Sequence, residues 1–124
     1  MSGEAAKALV IEYLDSMSGK DKPAELVDRY VSDADSELKQ HIRDAEAAFP
    51  HYGLLREAVI ADGDIVAIRF RMQGQHAATG KSVDVPGHIW YRVQNGQIVE
   101  HWIVMDNQAL MQQLGAGQPE ATQA

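Results

Sequence analysis

The first half of the chain carries its apolar residues three or four positions apart, which is the spacing of amphipathic helices. Three helices are predicted before residue 50, because Gly19 ends the first, Pro23 begins the second and Pro50 stops the third. Asp33 or Asp35 is the expected N-cap of the third helix. The apolar faces consist of Leu9, Val10, Tyr13, Leu14 and Met17 in the first helix, Leu26, Val27, Tyr30 and Val31 in the second, and Leu38, Ile42, Ala45 and Phe49 in the third.

From residue 52 onward the apolar positions alternate with polar ones, as they do in half-buried strands. Asp106 is the expected N-cap of a final helix that Gly115 ends. Helices followed by a four-stranded antiparallel meander indicate an α+β domain over residues 1–115, and residues 116–124 are expected to form a flexible tail. The predicted strands cover residues 52–61, 65–73, 82–93 and 97–105.

The turn at Asn95 and Gly96 decides which side chains of the last two strands share a face. A two-residue turn would bury Glu100, whereas a three-residue loop with Gly96 in the left-handed conformation pairs Val93 with Gln97. We prefer the longer loop, and the two-residue turn stays open as the alternative. In the preferred register the inner face holds Ile89, Tyr91, Val93, Val99, His101, Ile103 and Met105, and the outer face holds His88, Trp90, Arg92, Ile98, Glu100, Trp102 and Val104.

The two faces of this predicted sheet suggest two different uses. The inner face is a mostly apolar wall with a few polar groups, which is how pockets for small molecules are built. The outer face displays Trp90 and Trp102 where no predicted helix is left to cover them. An uncovered apolar sheet face favours a twofold homodimer, and the alternative is that the two tryptophans are scattered, half-buried residues.

Composition and charge narrow the range of partners. The 124 residues carry 11 Lys and Arg against 18 Asp and Glu, a net charge of −7, and residues 1–64 hold 7 of the basic and 14 of the acidic side chains. A chain without a basic cluster lacks the surface that binds nucleic acid or anionic lipid. Its 0 cysteines exclude a disulfide framework, and its 5 histidines show no paired spacing for a metal. No targeting or membrane-spanning segment is evident, so a cytoplasmic protein is expected.

Several short strings then point to a known family. The ending Asp106–Gly115 and three earlier segments carry the likeness, which extends over residues 5–115. The chain resembles the SnoaL-like polyketide cyclases, members of the nuclear transport factor 2-like superfamily that also holds ketosteroid isomerase and limonene epoxide hydrolase. The earlier segments are Ala48-Phe49-Pro50, the stretch over 61–70 with Gly74-Gln75-His76 after it, and Asn95-Gly96-Gln97-Ile98-Val99-Glu100-His101-Trp102.

The resemblance implies a fold and, with it, a set of functional expectations. The fold is a cone-shaped, curved antiparallel sheet wrapped by helices, also described as cystatin-like, with a deep apolar cavity. The resemblance further implies homodimers formed through the sheet and no metal or organic cofactor. In the cyclases an aspartate directly after the His-Trp pair is the acid/base, and a histidine faces it; here those positions hold Ile103 and Ile89. Ketosteroid isomerase has a carboxylic acid at the facing position, so neither acid/base set is intact.

The candidate catalytic residues are His101, Asp106 and Tyr91. An imidazole that points into an apolar cavity can stay neutral and act as a base near pH 7. Tyr91 could polarise a carbonyl oxygen, and Asp106 could replace the missing aspartate, although Asp-Asn-Gln-Ala also fits an N-cap. A core histidine bonded to the backbone is the structural alternative for His101. The expected ligand-binding side chains are Tyr13, Met17, Met72, His76, Ile89, Ile103 and Met105.

Two functional hypotheses therefore follow from the sequence. The first is a cofactor-free enzyme of cyclase or isomerase type that acts on a hydrophobic carbonyl compound or an epoxide, with His101 as acid/base. The second is a catalytically silent dimer that binds a hydrophobic ligand, in which Ile89 and Ile103 make the cavity apolar. Function belongs to the site rather than to the scaffold, so the geometry of the site has to separate them.

Overall fold

The elements follow each other in the predicted order. A computed structural model describes residues 3–115, so the tail predicted for residues 116–124 lies outside the described part. Within residues 3–115 no helix is long and apolar enough to cross a membrane. The helices are α1 (Gly3–Met17), α2 (Ala24–Tyr30), α3 (Ser36–Ala48) and α4 (Asn107–Leu114), with a 3-10 turn at Asp33–Asp35, and the strands are β1 (Gly53–Asp62), β2 (Ile65–Gln75), β3 (Ser82–Gln94) and β4 (Gln97–Met105).

Side-chain caps fix where α3 and α4 begin. The Leu38 N–H donates to Asp35 Oδ1 at 3.0 Å, which selects Asp35 over Asp33 as the N-cap of α3. The Ala109 N–H donates to Asp106 Oδ1 at 2.9 Å, and this confirms Asp106 as the N-cap of α4. Asp35 is buried, which is unusual for a carboxylate whose only task is to cap a helix.

The four strands form one antiparallel sheet in the order β1-β2-β3-β4, as predicted. The sheet is curved, with a bulge in β1 between Arg56 and Ala58, and its concave face packs against the helices. The inner positions of β2 and β3 are the most deeply buried part of the core. The α+β architecture with a helix-wrapped curved sheet is thereby confirmed.

The turn between β3 and β4 is one residue shorter than the loop that the sequence analysis preferred. Asn95 and Gly96 form a two-residue turn, both with positive φ, and Gln94 pairs with Gln97. Val99 is then an extra, unpaired residue, because Val93 pairs with Ile98 and Arg92 pairs with Glu100.

That bulge has two consequences for the sheet faces. From Glu100 onward the inner and outer faces are those that were predicted, but the pairs differ by two residues, since Tyr91 pairs with His101 and Ile89 pairs with Ile103. Before the bulge the prediction was wrong, since Ile98 is buried in the core rather than on the outer face. A buried Ile98 adds apolar contact at the turn end of the hairpin, which explains why the bulge is favourable there.

Gly87 is the position where the sheet must lack a side chain. A Cβ built on Gly87 would lie 2.6 Å from Cζ of Phe70 and 3.0 Å from the Val104 carbonyl oxygen. The missing side chain lets the Phe70 ring lie across β3, where it forms part of the wall described next.

Candidate functional site

A cavity of about 260 Å³ lies between the concave face of the sheet and α3. Its wall is largely apolar and aromatic, and the polar groups in it are three tyrosines, a histidine and a carboxylate. The aromatic side chains Tyr13, Phe49, Tyr52, Phe70 and Tyr91 make up much of the lining. The other lining residues are Leu38, His41, Ile42, Asp44, Ala45, Leu54, Met72, Ile89, Ile103, Met105 and Leu110.

Tyr13 and Tyr91 form the buried polar end of this cavity. Their rings meet edge to face with centroids 5.7 Å apart. Burial raises the pKa of Tyr13 well above its usual value, and burial is also the main cause of the raised pKa of Tyr91. Both phenols therefore keep their protons at neutral pH and can act as hydrogen-bond donors.

His101 is paired with the buried Asp35 carboxylate. His101 Nδ1 lies 2.7 Å from Asp35 Oδ2, and the side chains are only 12% and 6% exposed. The other oxygen of Asp35 accepts from the Leu38 N–H, so one carboxylate both caps α3 and orients the imidazole. His101 pairs with Tyr91 across β4 and β3, which links the Asp35–His101 pair to the tyrosine end of the cavity. These groups form one polar cluster at the start of α3.

The position of His101 corrects the expectation that it points into the apolar cavity. His101 shares the inner face of β4 with Ile103 and Met105, but it is not in the cavity lining. It instead lines a polar surface groove, together with Asp35, Glu37 and Arg92. The imidazole thus lies at the boundary between the buried cavity and the surface.

Two further polar side chains of α3 stand at the mouth of the cavity. His41 and Asp44 are both exposed and both line the cavity. Desolvation, followed by the charge of His101, lowers the pKa of His41, so its ring is neutral at pH 7. In the described part of the chain, Gln40 is the only hydrogen-bond partner of Asp44, and the His41 ring has none.

The predicted site residues fall into two groups. Those in the cavity lining are Tyr13, Met72, Ile89, Tyr91, Ile103 and Met105, and their roles stay predictions. Ile89 and Ile103 pair directly across β3 and β4, as the facing positions were expected to do.

Three other predicted residues lie elsewhere. Met17 is buried in the core and is absent from the lining. His76 lies behind the wall, with its ring 5.3 Å from that of Phe49 and Nδ1 3.0 Å from the Thr79 hydroxyl. Asp106 is exposed and caps α4. Of the two roles that the sequence allowed for Asp106, acid/base and N-cap, the structure fits the N-cap.

Sequence reasoning missed the functional interest of Asp35, His41 and Asp44. Asp35 was predicted only as a cap, and the pairing with His101 joins residues 66 positions apart, which no local pattern reveals. His41 and Asp44 lie three positions apart and therefore share one helix face. Their spacing next to the apolar Leu38 and Ile42 is a sequence signal that could have indicated polar groups beside the apolar face of α3.

The convex face of the sheet carries an exposed apolar row. Ile60, Ala67, Trp90 and Trp102 pair in sequence across all four strands. Trp90 is 51% exposed and Trp102 is 46% exposed, and their rings meet edge to face at 6.5 Å. Both tryptophans therefore lie on the outer face, where the sequence had placed them.

Outside the cavity, one surface group has the spacing of metal ligands. Ligand atoms of Asp21, Glu46 and His51 lie within 4.8 Å of one another. His51 Nε2 is 2.5 Å from Asp21 Oδ1, and Lys22 Nζ is 2.8 Å from Glu46 Oε1. The three side chains therefore already have partners within the protein. Asp21 is paired with His51, and Glu46 is paired with Lys22.

Comparisons with known proteins agree on the family. The family model described as SnoaL-like polyketide cyclase matches residues 20–114 of the chain. No curated protein matches it.

Solved structures share the fold at low sequence identity. AclR from Streptomyces galilaeus, described as a candidate hydroxylase, has a TM-score of 0.79 and 23% identity over 92% of this chain and 83% of its own. A candidate SnoaL-like polyketide cyclase from Jannaschia sp. CCS1 has a TM-score of 0.80 and 18% identity over 92% and 94%. A SnoaL-like polyketide cyclase from Agrobacterium tumefaciens has a TM-score of 0.75 and 20% identity over 89% and 98%. At these identities the likeness supports the fold alone.

Proposed function

The chain belongs to the SnoaL-like polyketide cyclase family, and from this premise we propose that it catalyses a cofactor-independent proton transfer on a hydrophobic carbonyl compound. The reaction would be of cyclase or isomerase type. The observation that carries the proposal is the buried Asp35–His101 pair beside the tyrosine end of the cavity. Proteins with this fold are described both as cyclases and as a hydroxylase, so the reaction has to be argued from the site.

In the proposed reaction the substrate extends past Tyr91 to His101, the cross-strand partner of Tyr91 at the edge of the cavity, and His101 takes a proton from the carbon next to the substrate carbonyl. Because a carboxylate can only accept hydrogen bonds, the neutral form of His101 that would act as the base has its proton on Nδ1, toward Asp35, and its lone pair on Nε2. The C–H bond breaks and its electron pair moves onto the carbonyl oxygen, while the new imidazolium is stabilised by Asp35. Return of the proton to a different carbon gives an isomer. Attack of the carbanion on a second carbonyl closes a ring, and the new alkoxide takes the proton.

The tyrosines would stabilise the enolate oxygen in this reaction. Tyr13 and Tyr91 both line the cavity, and their O–H groups would donate to a ligand oxygen there. A preorganised donor in a buried site stabilises developing negative charge more strongly than water does.

Deuterium exchange into a simple ketone tests this function. In D₂O the wild-type protein is expected to exchange the hydrogens next to the carbonyl of 2-tetralone at least about 100-fold faster than buffer, the usual size of general-base catalysis. Mass spectrometry follows the incorporation, and calorimetry shows independently whether the ketone binds. Binding without exchange would reject the proton-transfer proposal.

One observation favours a second function, a catalytically silent ligand-binding module. Ile89 and Ile103 pair directly in the cavity wall, at the positions where the family resemblance implies acid/base groups. Two adjacent apolar side chains there supply contact area but no proton. If the protein only binds its ligand, we expect 2-tetralone to bind without exchange of its hydrogens for deuterium.

We extend the proposal to a homodimer formed through the convex face of the sheet. The row of Ile60, Ala67, Trp90 and Trp102 is apolar, and Val104 beside it is 74% exposed. Large exposed apolar patches on a protein surface commonly mark interfaces, and identical copies most often close such a patch by a twofold axis.

Replacing Trp90 with glutamate is expected to convert the dimer to a monomer at a concentration of tens of micromolar. A buried charge at the centre of an interface is strongly unfavourable unless it finds a partner. Sedimentation equilibrium measures the mass of the wild type and the variant. The Gln94→Glu variant adds the same charge at an exposed position of the hairpin and should stay dimeric. A monomeric wild type, or a dimeric Trp90→Glu variant, contradicts this prediction.

A further inference from the structure

We infer that the cavity selects a planar ligand of two fused rings, with a carbonyl oxygen at the buried tyrosine end and a hydroxyl group at the mouth that is bound by His41 and Asp44. The inference rests on the proposed function only for the carbonyl. The size, the shape and the hydroxyl follow from the cavity itself.

The volume of the cavity limits the size of the ligand. At the packing density of protein interiors, about 0.74, a cavity of about 260 Å³ holds roughly 190 Å³ of ligand atoms. Two fused six-membered rings with two oxygen substituents fit into that volume, whereas four fused rings exceed it. The rings of Phe49, Tyr52 and Phe70 in the wall favour a flat ligand, because aromatic faces and edges pack well against planar rings.

The buried end is suited to a neutral oxygen acceptor. Tyr13 and Tyr91 are protonated donors there, and Asp35 contributes negative charge nearby. A carboxylate ligand would be repelled by Asp35, whereas a ketone oxygen accepts from a phenol without added charge. This end therefore recognises a carbonyl group.

The mouth presents two acceptors, the Asp44 carboxylate and one ring nitrogen of His41. The His41 ring is neutral and without a hydrogen-bond partner among the described residues, and Asp44 has Gln40 as its one partner there. A hydroxyl group can donate to either side chain, whereas a ligand carboxylate would face the charge of Asp44. These acceptors would hold a ligand hydroxyl where the cavity opens to solvent.

The geometry of α3 separates the two recognition points. Asp44 follows Asp35 by nine residues, which is about 13 Å along a helix axis. Tyr91 pairs across the strands with His101, the partner of Asp35, at one end, and Asp44 lines the cavity at the other. A rigid bicyclic ligand with oxygens at opposite ends can therefore contact both points at once.

Three probes test the inference by calorimetry: 2-tetralone, 6-hydroxy-2-tetralone and a hydroxylated four-ring tetracenequinone. The hydroxylated bicyclic ketone is expected to bind about tenfold more tightly than 2-tetralone, since a hydrogen bond to a charged acceptor contributes roughly that factor. In the Asp44→Ala variant this preference should disappear, so the ratio of the two affinities falls to about one. The matched control is Glu37→Ala, which removes the same charge from an exposed position of the same helix outside the cavity lining and should keep the preference.

The outcomes separate this inference from the proposed function. Equal affinities for the two tetralones, a preference that survives in Asp44→Ala, or tight binding of the four-ring quinone overturns the inference, even if exchange is fast. A hydroxyl preference that depends on Asp44, combined with no deuterium exchange, supports the inference and rejects the proton-transfer reaction.

Discussion

Replacing His101 with asparagine is expected to slow deuterium exchange into bound 2-tetralone by at least about 100-fold, because a general base contributes roughly 10²–10⁴-fold. The variant removes the Nε2 lone pair, while an amide N–H can still donate to Asp35. The contact that links β4 to the start of α3 is thus retained. Exchange is followed by mass spectrometry with the ketone at saturating concentration.

Two measurements keep this result from being confused with a structural effect. The affinity for 2-tetralone and the thermal midpoint of the His101→Asn variant should stay close to those of the wild type. The control is His51→Asn, because His51 is exposed and has a φ of 59°, a conformation that asparagine tolerates. Unchanged exchange in His101→Asn would remove His101 from the reaction and leave Asp35–His101 as a structural pair.

The β3–β4 hairpin shows how far the sequence predicts this fold and where it stops. Helical and alternating apolar spacing predicts the order of all the elements, because burial of one face imposes it. The loop at Asn95 and Gly96 was nevertheless predicted one residue too long. The faces after Val99 still came out as expected, because the bulge at Val99 and the longer loop each shift the register by one residue, although in opposite directions. The two solutions differ in their cross-strand pairs and in the burial of Ile98, which depends on packing against the helices.

The site was less predictable than the fold for a physical reason. The alternation of β3 and β4 was enough to place Tyr91, Ile89, Ile103 and Met105 in the cavity wall, although the roles of these residues stay predictions. The environment of His101 was not predictable, because its partner Asp35 comes from the cap of a distant helix. The local spacing of apolar residues predicts which face of a strand or helix is buried. A hydrogen bond between distant segments depends on how those buried faces pack together, which the spacing does not predict.

Replacing Phe70 with alanine is expected to lower the free energy of unfolding by about 3–5 kcal/mol, as for other buried phenylalanines. Phe70 is 1% exposed on β2, a central strand, and its ring fills the space left by the missing side chain of Gly87. Loss of the ring also enlarges the ligand cavity. Because the loss of stability grows with the cavity that remains, a decrease of about 5 kcal/mol indicates that the surrounding wall does not collapse into the space. Urea denaturation followed by circular dichroism measures the change.

The control for Phe70→Ala is Leu55→Ala, because Leu55 is 52% exposed on the convex face and should change stability by about 0.5 kcal/mol or less. The enlarged cavity also makes a binding prediction: Phe70→Ala should bind the four-ring quinone more tightly and 6-hydroxy-2-tetralone less tightly than the wild type. A stability loss below about 1 kcal/mol would mean that the wall relaxes around the missing ring. In that case Phe70 would not set the cavity volume, and the two-ring limit would have to come from another part of the wall.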